Sequence, residues 1–377
     1  MADGVVTLSG VELRWVTLPL VAPFRTPFGV ERDRRSLLVR VVTEHTEGWG
    51  ECVAMPTPDY SAEHLDGAAT VLRRFLIPAV AGLTSVTAVA VEEPFGAFKG
   101  NWMAKAALQT AVLDAQLRST GMSLGDYLGA VRTTVPAGVS VGIMDSIDAL
   151  LDAVGGYLDA GYARIKLKIE PGWDIDPVRA VRERFGAALA LQVDANGAYA
   201  VTDSRHLARL DPFDLLMIEQ PLHEEDLRGH AALARMLRTP ICLDEPITSA
   251  RAAVEAIRLG AASIINIKPG RVGGFLEARR IHDVCAAHGV PVWVGGMVET
   301  GIGRAANLAL AALPNCGYVG DMSGSDRFFT RDVTPPFTVK DGVIEVPTAP
   351  GIGVDPDPAA LDAATIRTEW ISVREGL

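Results

Sequence analysis

Five apolar segments that each run into a charged residue decide the fold of this chain: YARIKLKIE (162–170), ALALQVDANG (188–197), FDLLMIEQP (213–221), TPICLDEP (239–246) and ASIINIKPG (262–270). The charged residues are Lys168, Asp194, Glu219, Asp244 and Lys268, which follow one another at intervals of 26, 25, 25 and 24 residues. Each apolar run is typical of a buried strand, and the stretches between the runs have helical character. The pattern therefore indicates repeated β-α units around a parallel sheet.

Three further segments on either side extend this series to eight candidate strands: VPAGVSVG (135–142), VPVWVGGM (290–297) and CGYVGD (316–321). Eight β-α units of about 25 residues fit a barrel, whose usual size is about 250 residues. A doubly wound sheet also alternates strands and helices. However, a charged residue at the same point of five consecutive units favours the barrel.

The two ends of the chain have a different texture. VELRWVTLPL (11–20) and RSLLVRVVTE (35–44) are predicted strands, APFRTPFG (22–29) between them is a predicted loop, and KAALQTAVLDAQLRS (105–119) has helical spacing. Near the other end, FTVKDGVIEV (337–346) predicts a strand pair around Asp-Gly, followed by a last strand-like piece. We expect an α+β capping unit at 1–130, a barrel at 131–322 and a segment at 323–377 that completes the cap.

Composition excludes several classes of protein. The 377 residues are 49% apolar and 21% charged, and the net charge is −11, which are ordinary globular values without the basic surplus of a nucleic-acid-binding protein. Four cysteines without a CxxC pair read as free thiols of a reducing compartment. No signal peptide or membrane-spanning run is visible, so we expect a cytoplasmic protein with no membrane or nucleic-acid partner.

The order of the strand-end residues is lysine, three carboxylates, lysine. Active sites of barrels lie at the carboxyl ends of the strands, so these side chains should converge. Three adjacent carboxylates repel one another unless a cation binds them, and oxygen ligands suit Mg²⁺ or Mn²⁺. Such a site can abstract the proton α to a carboxylate, with one lysine on each face of the substrate. Lys166 lies on the same face of its strand as Lys168, and its like charge should lower the pKa of Lys168.

Together, KLK (166–168), DANGAY (194–199), IEQPL (218–222), LDEP (243–246) and INIKPGRVGG (265–274) resemble the enolase superfamily, muconate-cycloisomerase subgroup. The resemblance extends over essentially the whole chain and implies a modified TIM barrel, (β/α)7β, with an α+β capping domain. It implies that Asp194, Glu219 and Asp244 bind Mg²⁺, that Lys168 and Lys268 are the acid/base pair, and that Lys166 tunes Lys168. It also implies a small carboxylate substrate and a homo-oligomer.

Two further motifs, GGMVETGIGRA (295–305) and GDMSGSDRFF (320–329), resemble the o-succinylbenzoate synthases that include N-acylamino acid racemases. This resemblance implies dehydration to o-succinylbenzoate, a step toward menaquinone, or racemisation of N-acylamino acids. Arg271 resembles the arginine of members that racemise N-succinylamino acids, and it is equally read as a helix-end or salt-bridge residue. The implied substrate contacts are Phe24 and Met55 from the cap and Ser140, Asn266, Gly296, Met297 and Phe328 from the barrel.

Parts of the sequence also bear on other functions. A dipeptide epimerase would usually carry Asp-x-Asp where this chain has Asp321-Met322-Ser323, and a muconate-type cycloisomerase belongs to the same subgroup. GIGRAA (301–306), with Asp321 beyond it, matches a dinucleotide-binding pattern built on Gly301 and Gly303, but that pattern usually opens a fold rather than occupying its seventh unit. A non-catalytic barrel would not be expected to keep all five charged residues. Acid-sugar relatives use a histidine base near the seventh strand, and His288 precedes that strand.

Overall fold

The computed structural model describes residues 6–26, 29–83 and 85–373, with Phe24 and Thr26 described by their backbone alone. The side chain of Phe24, predicted to contact the substrate, therefore lies outside the described residues. Within them the strands are β1 (Leu8–Thr26), β2 (Gly29–Thr43), β3 (Glu47–Cys52), β4 (Thr134–Pro136), β5 (Gly138–Val141), β6 (Arg164–Lys168), β7 (Leu191–Asp194), β8 (Ile218–Glu219), β9 (Ile241–Leu243), β10 (Ile264–Ile267), β11 (Val292–Val294), β12 (Val343–Glu345) and β13 (Thr365–Ser372).

The α-helices of the described residues are α1 (Leu65–Val71), α2 (Ile77–Ala81), α3 (Glu92–Gly96), α4 (Trp102–Thr120), α5 (Leu124–Leu128), α6 (Ile147–Asp159), α7 (Ile175–Phe185), α8 (Ser204–Leu207), α9 (Leu227–Met236), α10 (Ala250–Leu259), α11 (Pro269–Val272), α12 (Phe275–Ala287), α13 (Gly301–Ala311) and α14 (Pro358–Ala364). A π-helical turn covers Leu72–Leu76, and 3-10 turns cover Val201–Asp203, Ala208–Phe213 and Ser325–Arg327. No helix among the described residues is long and apolar enough to cross a membrane.

The capping sheet combines strands from both ends of the described chain, in the antiparallel order β13-β1-β2-β3. Alternate residues of β2 are buried on the face that α4 covers. Two glycines of β3 let the helix backbone come close, because a Cβ on Gly48 would lie 2.1 Å from the Ala111 carbonyl oxygen and one on Gly50 2.0 Å from that of Ala107. These pairings support the division into residues 1–130, 131–322 and 323–377, which we keep as a proposal.

The second sheet is a parallel barrel wall in the order β5-β6-β7-β8-β9-β10-β11, so strands that follow one another in sequence are neighbours in space. Every residue of β6 and β7 is buried, as expected for strands that have side chains on one face and helices on the other. The architecture is the modified TIM barrel, (β/α)7β with an α+β cap, that the resemblance implies.

The segment CGYVGD (316–321), predicted as the eighth strand, closes this barrel without forming a regular strand. It makes one parallel bridge, Val292 to Cys316, and the Asp321 amide donates to the Val294 carbonyl at 3.0 Å. Gly320 comes so close to β11 that a Cβ there would lie 2.5 Å from the Val294 oxygen. This glycine-rich contact joins β11 to β5 by irregular hydrogen bonds instead of a ladder.

The loop predicted at 22–29 is wrong for most of its length. Strand β1 runs on to Thr26 and β2 begins at Gly29, with these two residues paired beyond a register shift that starts at Pro19. In this two-stranded arm, formed by residues 24–26 of β1 and 29–31 of β2, each residue of one strand has a partner in the other, so Pro23 does not end the strand. The arm reaches the barrel, where the Ile143 amide donates to the Arg25 carbonyl at 3.2 Å.

The strand pair predicted at 337–346 forms only in its second half. Strand β12 pairs antiparallel with β4, Ile344 opposite Val135, and Lys340 makes a single bridge to Val343. The φ angles of Asp341 and Gly342 are 51° and 78°, so the predicted Asp-Gly turn is present. The first half of the pair forms no strand among the described residues, and β12 has β4 as its neighbour in their two-stranded sheet.

Candidate active site

The five charged strand-end residues meet at the carboxyl end of the barrel sheet. Lys168, Asp194 and Glu219 are the last residues of β6, β7 and β8, and Asp244 and Lys268 directly follow β9 and β10. The register places Lys168 beside Asp194 and Asp194 beside Glu219. All five side chains belong to residues that are 9% exposed or less. The constant spacing in the sequence thus becomes one buried cluster.

Each carboxylate of the cluster is bound by a lysine amine. Lys168 Nζ lies 2.5 Å from Asp194 Oδ2, and Lys268 Nζ lies 2.7 Å from Asp244 Oδ2. Lys166 Nζ lies 3.0 Å from Glu219 Oε2. The two predicted acid/base lysines therefore enter from opposite ends of the row of three acids.

The electrostatics of the cluster follow from burial and these contacts. Burial alone would lower the pKa of Lys268, but the Asp244 carboxylate raises it well above its ordinary value. Burial also opposes the charge of Lys166, and the carboxylates of Asp321 and Glu219 outweigh it, so this pKa is raised too. Burial raises the pKa of Glu219, and the nearby charge of Asp194 adds to the effect. The acids thus hold Lys166 and Lys268 in their charged form.

The three carboxylates are candidate ligands for the metal that the sequence predicts. Among the described residues, no three His, Cys, Asp or Glu side chains are arranged to hold a metal ion as they stand, since lysine amines occupy the acids. Asp244 Oδ1 is nevertheless buried without a hydrogen-bond partner. Three carboxylates on adjacent strand ends, one with an oxygen that accepts no hydrogen bond, are oxygen donors of the kind that Mg²⁺ prefers. The residues fit the metal by their chemistry and by their place in the fold.

A cavity of about 310 Å³ opens above the lysines. Lys168 and Lys268 line it from the barrel, Met55 lines it from the cap, and Gly296 and Met297 line it from the loop after β11. Residues 29–33 and 35 of β2 form a further wall. The cavity therefore lies between the two units and reaches both predicted acid/base groups.

Four predicted substrate contacts, Ser140, Asn266, Arg271 and Phe328, are not among the described residues that line the cavity. Asn266 donates to Glu219 Oε1 at 2.8 Å, and Arg271 donates to the Asp244 carbonyl at 2.6 Å. Ser140 accepts through its carbonyl from Arg327 at 2.5 Å, and the Arg327 guanidinium lies 4.6 Å from the Phe328 ring centre. Asn266 thus bonds the Glu219 carboxylate, and Arg271 bonds the backbone of Asp244. Contact of all four residues with substrate stays a prediction.

Several residues at the site were missed by the sequence reading. Asn196 Oδ1 accepts from Lys168 at 2.6 Å, and Lys268 donates to the Tyr60 hydroxyl at 3.1 Å. Glu245 Oε1 accepts from the Asn196 amide at 3.0 Å, and Asp321 Oδ2 accepts from Lys166 at 2.6 Å. Asn196 and Glu245 stand inside the motifs DANGAY and LDEP, where that position is the available signal. Tyr60 comes from a distant cap loop without any such signal.

Comparison with known proteins agrees with this fold and site. Residues 10–129 match the model of the mandelate racemase / muconate lactonizing enzyme N-terminal domain, and residues 149–360 match that of the enolase C-terminal domain-like family. The chain is 64% identical to an N-succinylamino acid racemase of Amycolatopsis over 97% of this chain and 99% of the relative. It is 45% identical to an o-succinylbenzoate synthase of Geobacillus kaustophilus over 96% of both chains.

Among solved structures, an enolase-superfamily member from Listeria innocua matches with a TM-score of 0.94 and 40% identity, over 98% of this chain and all of the other. Both domain models, the high identity over nearly full length and the structural match point the same way. The chain therefore belongs to the enolase superfamily and, within it, to the family of the o-succinylbenzoate synthases and N-succinylamino acid racemases.

Proposed function

We propose that this protein is a divalent-metal-dependent enzyme that removes the proton α to the carboxylate of a small substrate. The reactions are the dehydration that yields o-succinylbenzoate, a lyase reaction of menaquinone biosynthesis, and the racemisation of N-succinylamino acids. The observation that carries this proposal is the pair Lys168 and Lys268, which line one cavity from opposite ends of a row of three carboxylates. Family membership supports both reactions.

In this proposal Asp194, Glu219 and Asp244 hold Mg²⁺ or Mn²⁺. A cation held by these three residues would supply positive charge to the substrate carboxylate, where negative charge develops as the enediolate forms. Coordination by Asp244 would also withdraw from Lys268 the charge that raises the pKa of this lysine. Lys268 could then release its proton, as a base must.

The two lysines perform the proton transfers. In racemisation, one lysine takes the α-proton and the other delivers a proton to the opposite face. In dehydration, one lysine takes the α-proton and gives it to the hydroxyl group, which leaves as water, while the other lysine stays charged. Tyr60 and Asn196 orient the two amines by the hydrogen bonds given above. Met55 and the arm, in the cap, restrict access of water to the cavity.

The dinucleotide-binding alternative conflicts with the surroundings of GIGRAA. This motif forms the start of α13, where Glu51 accepts from the Gly303 amide at 3.1 Å and Asp332 accepts from the Gly301 amide at 3.0 Å. Two buried carboxylates already cap this helix, so its N-terminus cannot receive a pyrophosphate.

We also propose a cytoplasmic location, supported by four buried free cysteines, and a homo-oligomeric assembly that follows the family.

The test is proton NMR of N-succinylphenylalanine in D₂O with Mg²⁺, together with an absorbance assay of dehydration. We expect the wild type to exchange the α-proton and to racemise the substrate. Racemisation should be lost in both Lys168→Ala and Lys268→Ala, because each variant lacks the lysine on one face of the substrate. Lys340→Ala is the matched control, since Lys340 is an exposed lysine in a surface turn. Near-normal turnover in either active-site variant would refute the two-lysine scheme.

The metal assignment is tested by calorimetric titration with Mg²⁺. Asp194→Asn, Glu219→Gln and Asp244→Asn each remove a charged oxygen donor, so each should weaken binding. Asp283→Asn replaces an exposed carboxylate of α12 and should leave the affinity unchanged. Unchanged affinity in all three site variants would remove the metal from this place.

A further inference from the structure

A buried line of alternating charges runs from Arg164 through Asp321 to Lys166. Arg164 Nη2 lies 2.9 Å from Asp321 Oδ1, and Lys166 Nζ lies 2.6 Å from Asp321 Oδ2. The side-chain exposures are 0%, 11% and 2% for Arg164, Asp321 and Lys166. The Trp293 ring completes the enclosure, with its centre 4.9 Å from Lys166 Nζ and 5.5 Å from the Arg164 guanidinium carbon. Buried charges so placed are costly unless each is paired, and here each is.

The first two residues of this line, Arg164 and Asp321, are held by further hydrogen bonds. Arg164 donates to the Val319 carbonyl at 3.0 and 2.9 Å and to the Val139 carbonyl at 3.3 Å. The Asp321 carbonyl accepts from Arg304 at 2.7 Å. The Asp321 carboxylate therefore cannot move with Lys166, and it fixes the place of the Lys166 amine.

The place of this amine matters for Lys168. Lys166 and Lys168 lie two residues apart on β6 and share one oxygen, Asp194 Oδ2, at 3.4 and 2.5 Å. Without the Asp321 charge, the Lys166 amine would keep only Glu219 and Asp194 as anionic partners, so it would compete with Lys168 for that oxygen. Lys268 instead donates to Asp244 and Tyr60. Among the described residues, Lys166 donates to Glu219 and Asp321 and to neither of these two.

We infer that Asp321, held by Arg164, is a positioning residue: it fixes the Lys166 amine and thereby maintains the rate of proton transfer by Lys168 on its face of the substrate. The rate of proton transfer on the Lys268 face does not depend on it. This inference rests on the proposed function, because it assigns the two lysines to opposite faces. It gives Asp321 a partner within the protein and a task in catalysis without contact to substrate.

The experiment follows α-proton exchange separately for the R and S enantiomers of N-succinylphenylalanine, in D₂O with Mg²⁺ and the full-length enzyme. Lys268→Ala first identifies the enantiomer that Lys168 serves, as the one that still exchanges. In Asp321→Asn and in Arg164→Lys, exchange of that enantiomer should fall relative to the other by about tenfold or more, which corresponds to about 1.4 kcal/mol. Asp332→Asn is the control, since it removes an equally buried carboxylate that caps α13, and the ratio should stay unchanged.

A loss that is equal for both enantiomers, with or without a lower unfolding temperature, would assign Asp321 a general structural role and overturn the inference. An unchanged ratio in both variants would overturn it too. If Asp321→Asn does not fold, Arg164→Lys decides alone. The lysine keeps a positive charge beside Asp321, which favours folding, but it replaces the guanidinium that bonds Asp321 together with the Val319 and Val139 carbonyls, so Asp321 is no longer fixed in place. Absence of exchange for both enantiomers in the wild type would refute the proposed racemisation itself, which is a different result.

Discussion

Replacement of Glu51 by glutamine should weaken the contact between the cap and the barrel and so lower the free energy of unfolding. The Glu51 carboxylate, from β3 of the cap, accepts from the Thr300 hydroxyl at 2.7 Å, from the Thr300 amide at 3.0 Å and from the Gly303 amide at 3.1 Å at the start of α13. Ser36 donates to its other oxygen at 2.8 Å. The Glu51 residue is 7% exposed, so none of these bonds is shared with bulk water.

The magnitude follows from these four donors. In Glu51→Gln one oxygen becomes an NH₂ group, which cannot accept from the Gly303 amide or the Thr300 hydroxyl. Each hydrogen bond to a charged group contributes about 1.5–3 kcal/mol, and the lost charge at the helix start adds about 0.3–1 kcal/mol. Since such losses overlap, we expect the free energy of unfolding to fall by about 3–4 kcal/mol.

The substitution should also lower kcat/KM. Thr300 ends the loop 295–300 that lines the cavity, and Val298 in this loop has a φ of 54°, a strained value for a β-branched residue. A loop with such strain keeps its shape only while its ends are held. The assays are urea unfolding followed by circular dichroism and initial rates with N-succinylphenylalanine.

The matched control is Glu47→Gln, on the same strand. Glu47 is 40% exposed in its side chain and pairs with Arg40 at the surface, so its loss should cost less than about 1 kcal/mol. A cost below about 1 kcal/mol for Glu51→Gln, or a cost equal to that of the control, would refute the claim that Glu51 docks the cap.

Three further predictions concern other parts of the molecule. Gly138→Ala should cost about 1–3 kcal/mol in urea unfolding, because its Cβ would lie 2.2 Å from the Gly320 carbonyl oxygen; a change within about 0.5 kcal/mol would contradict the close approach. Tyr60→Phe should lower kcat about tenfold or more at an unchanged fold, since Lys268 loses a hydrogen bond worth about 1.5–3 kcal/mol; steady-state kinetics that stay within about twofold of the wild type would exclude this role. Burial raises the pKa of Asp114 from 3.8 to about 6, so the native state binds a proton there that the unfolded state releases. As the pH rises from about 4 to about 6, the free energy of unfolding of the wild type should therefore fall by up to about 3 kcal/mol relative to that of Asp114→Asn. Urea titrations at several pH values measure this, and parallel stability curves would disprove it.

The barrel and its charged cluster were predictable because the evidence for them is local. Each strand end carries its charge at a fixed point of a repeating unit, and a parallel sheet brings those points together. Asn196 and Glu245 also stand within quoted motifs, two and one residues beyond Asp194 and Asp244. Their partners, however, are set by side-chain direction, which spacing alone does not give.

The rest of the site depends on contacts between distant segments. Tyr60 reaches Lys268 from a cap loop, and Asp321 reaches Lys166 across the seam of the barrel. The segment 22–29 was predicted as a loop because proline and glycine usually mark loops. Pairing between the two sides of the arm outweighs that local preference. Position along the chain does not reveal such pairings, so sequence reading missed them.

The pairing of β13 with β1 has a consequence for synthesis of the protein. Glu12 is made early, whereas its partner Trp370 emerges after the whole barrel has been translated. Until then the outer edge of β1 has no neighbour, and an open strand edge is a template for pairing with other chains. The edge of β1 is therefore open to pairing with other nascent chains until translation has passed Trp370.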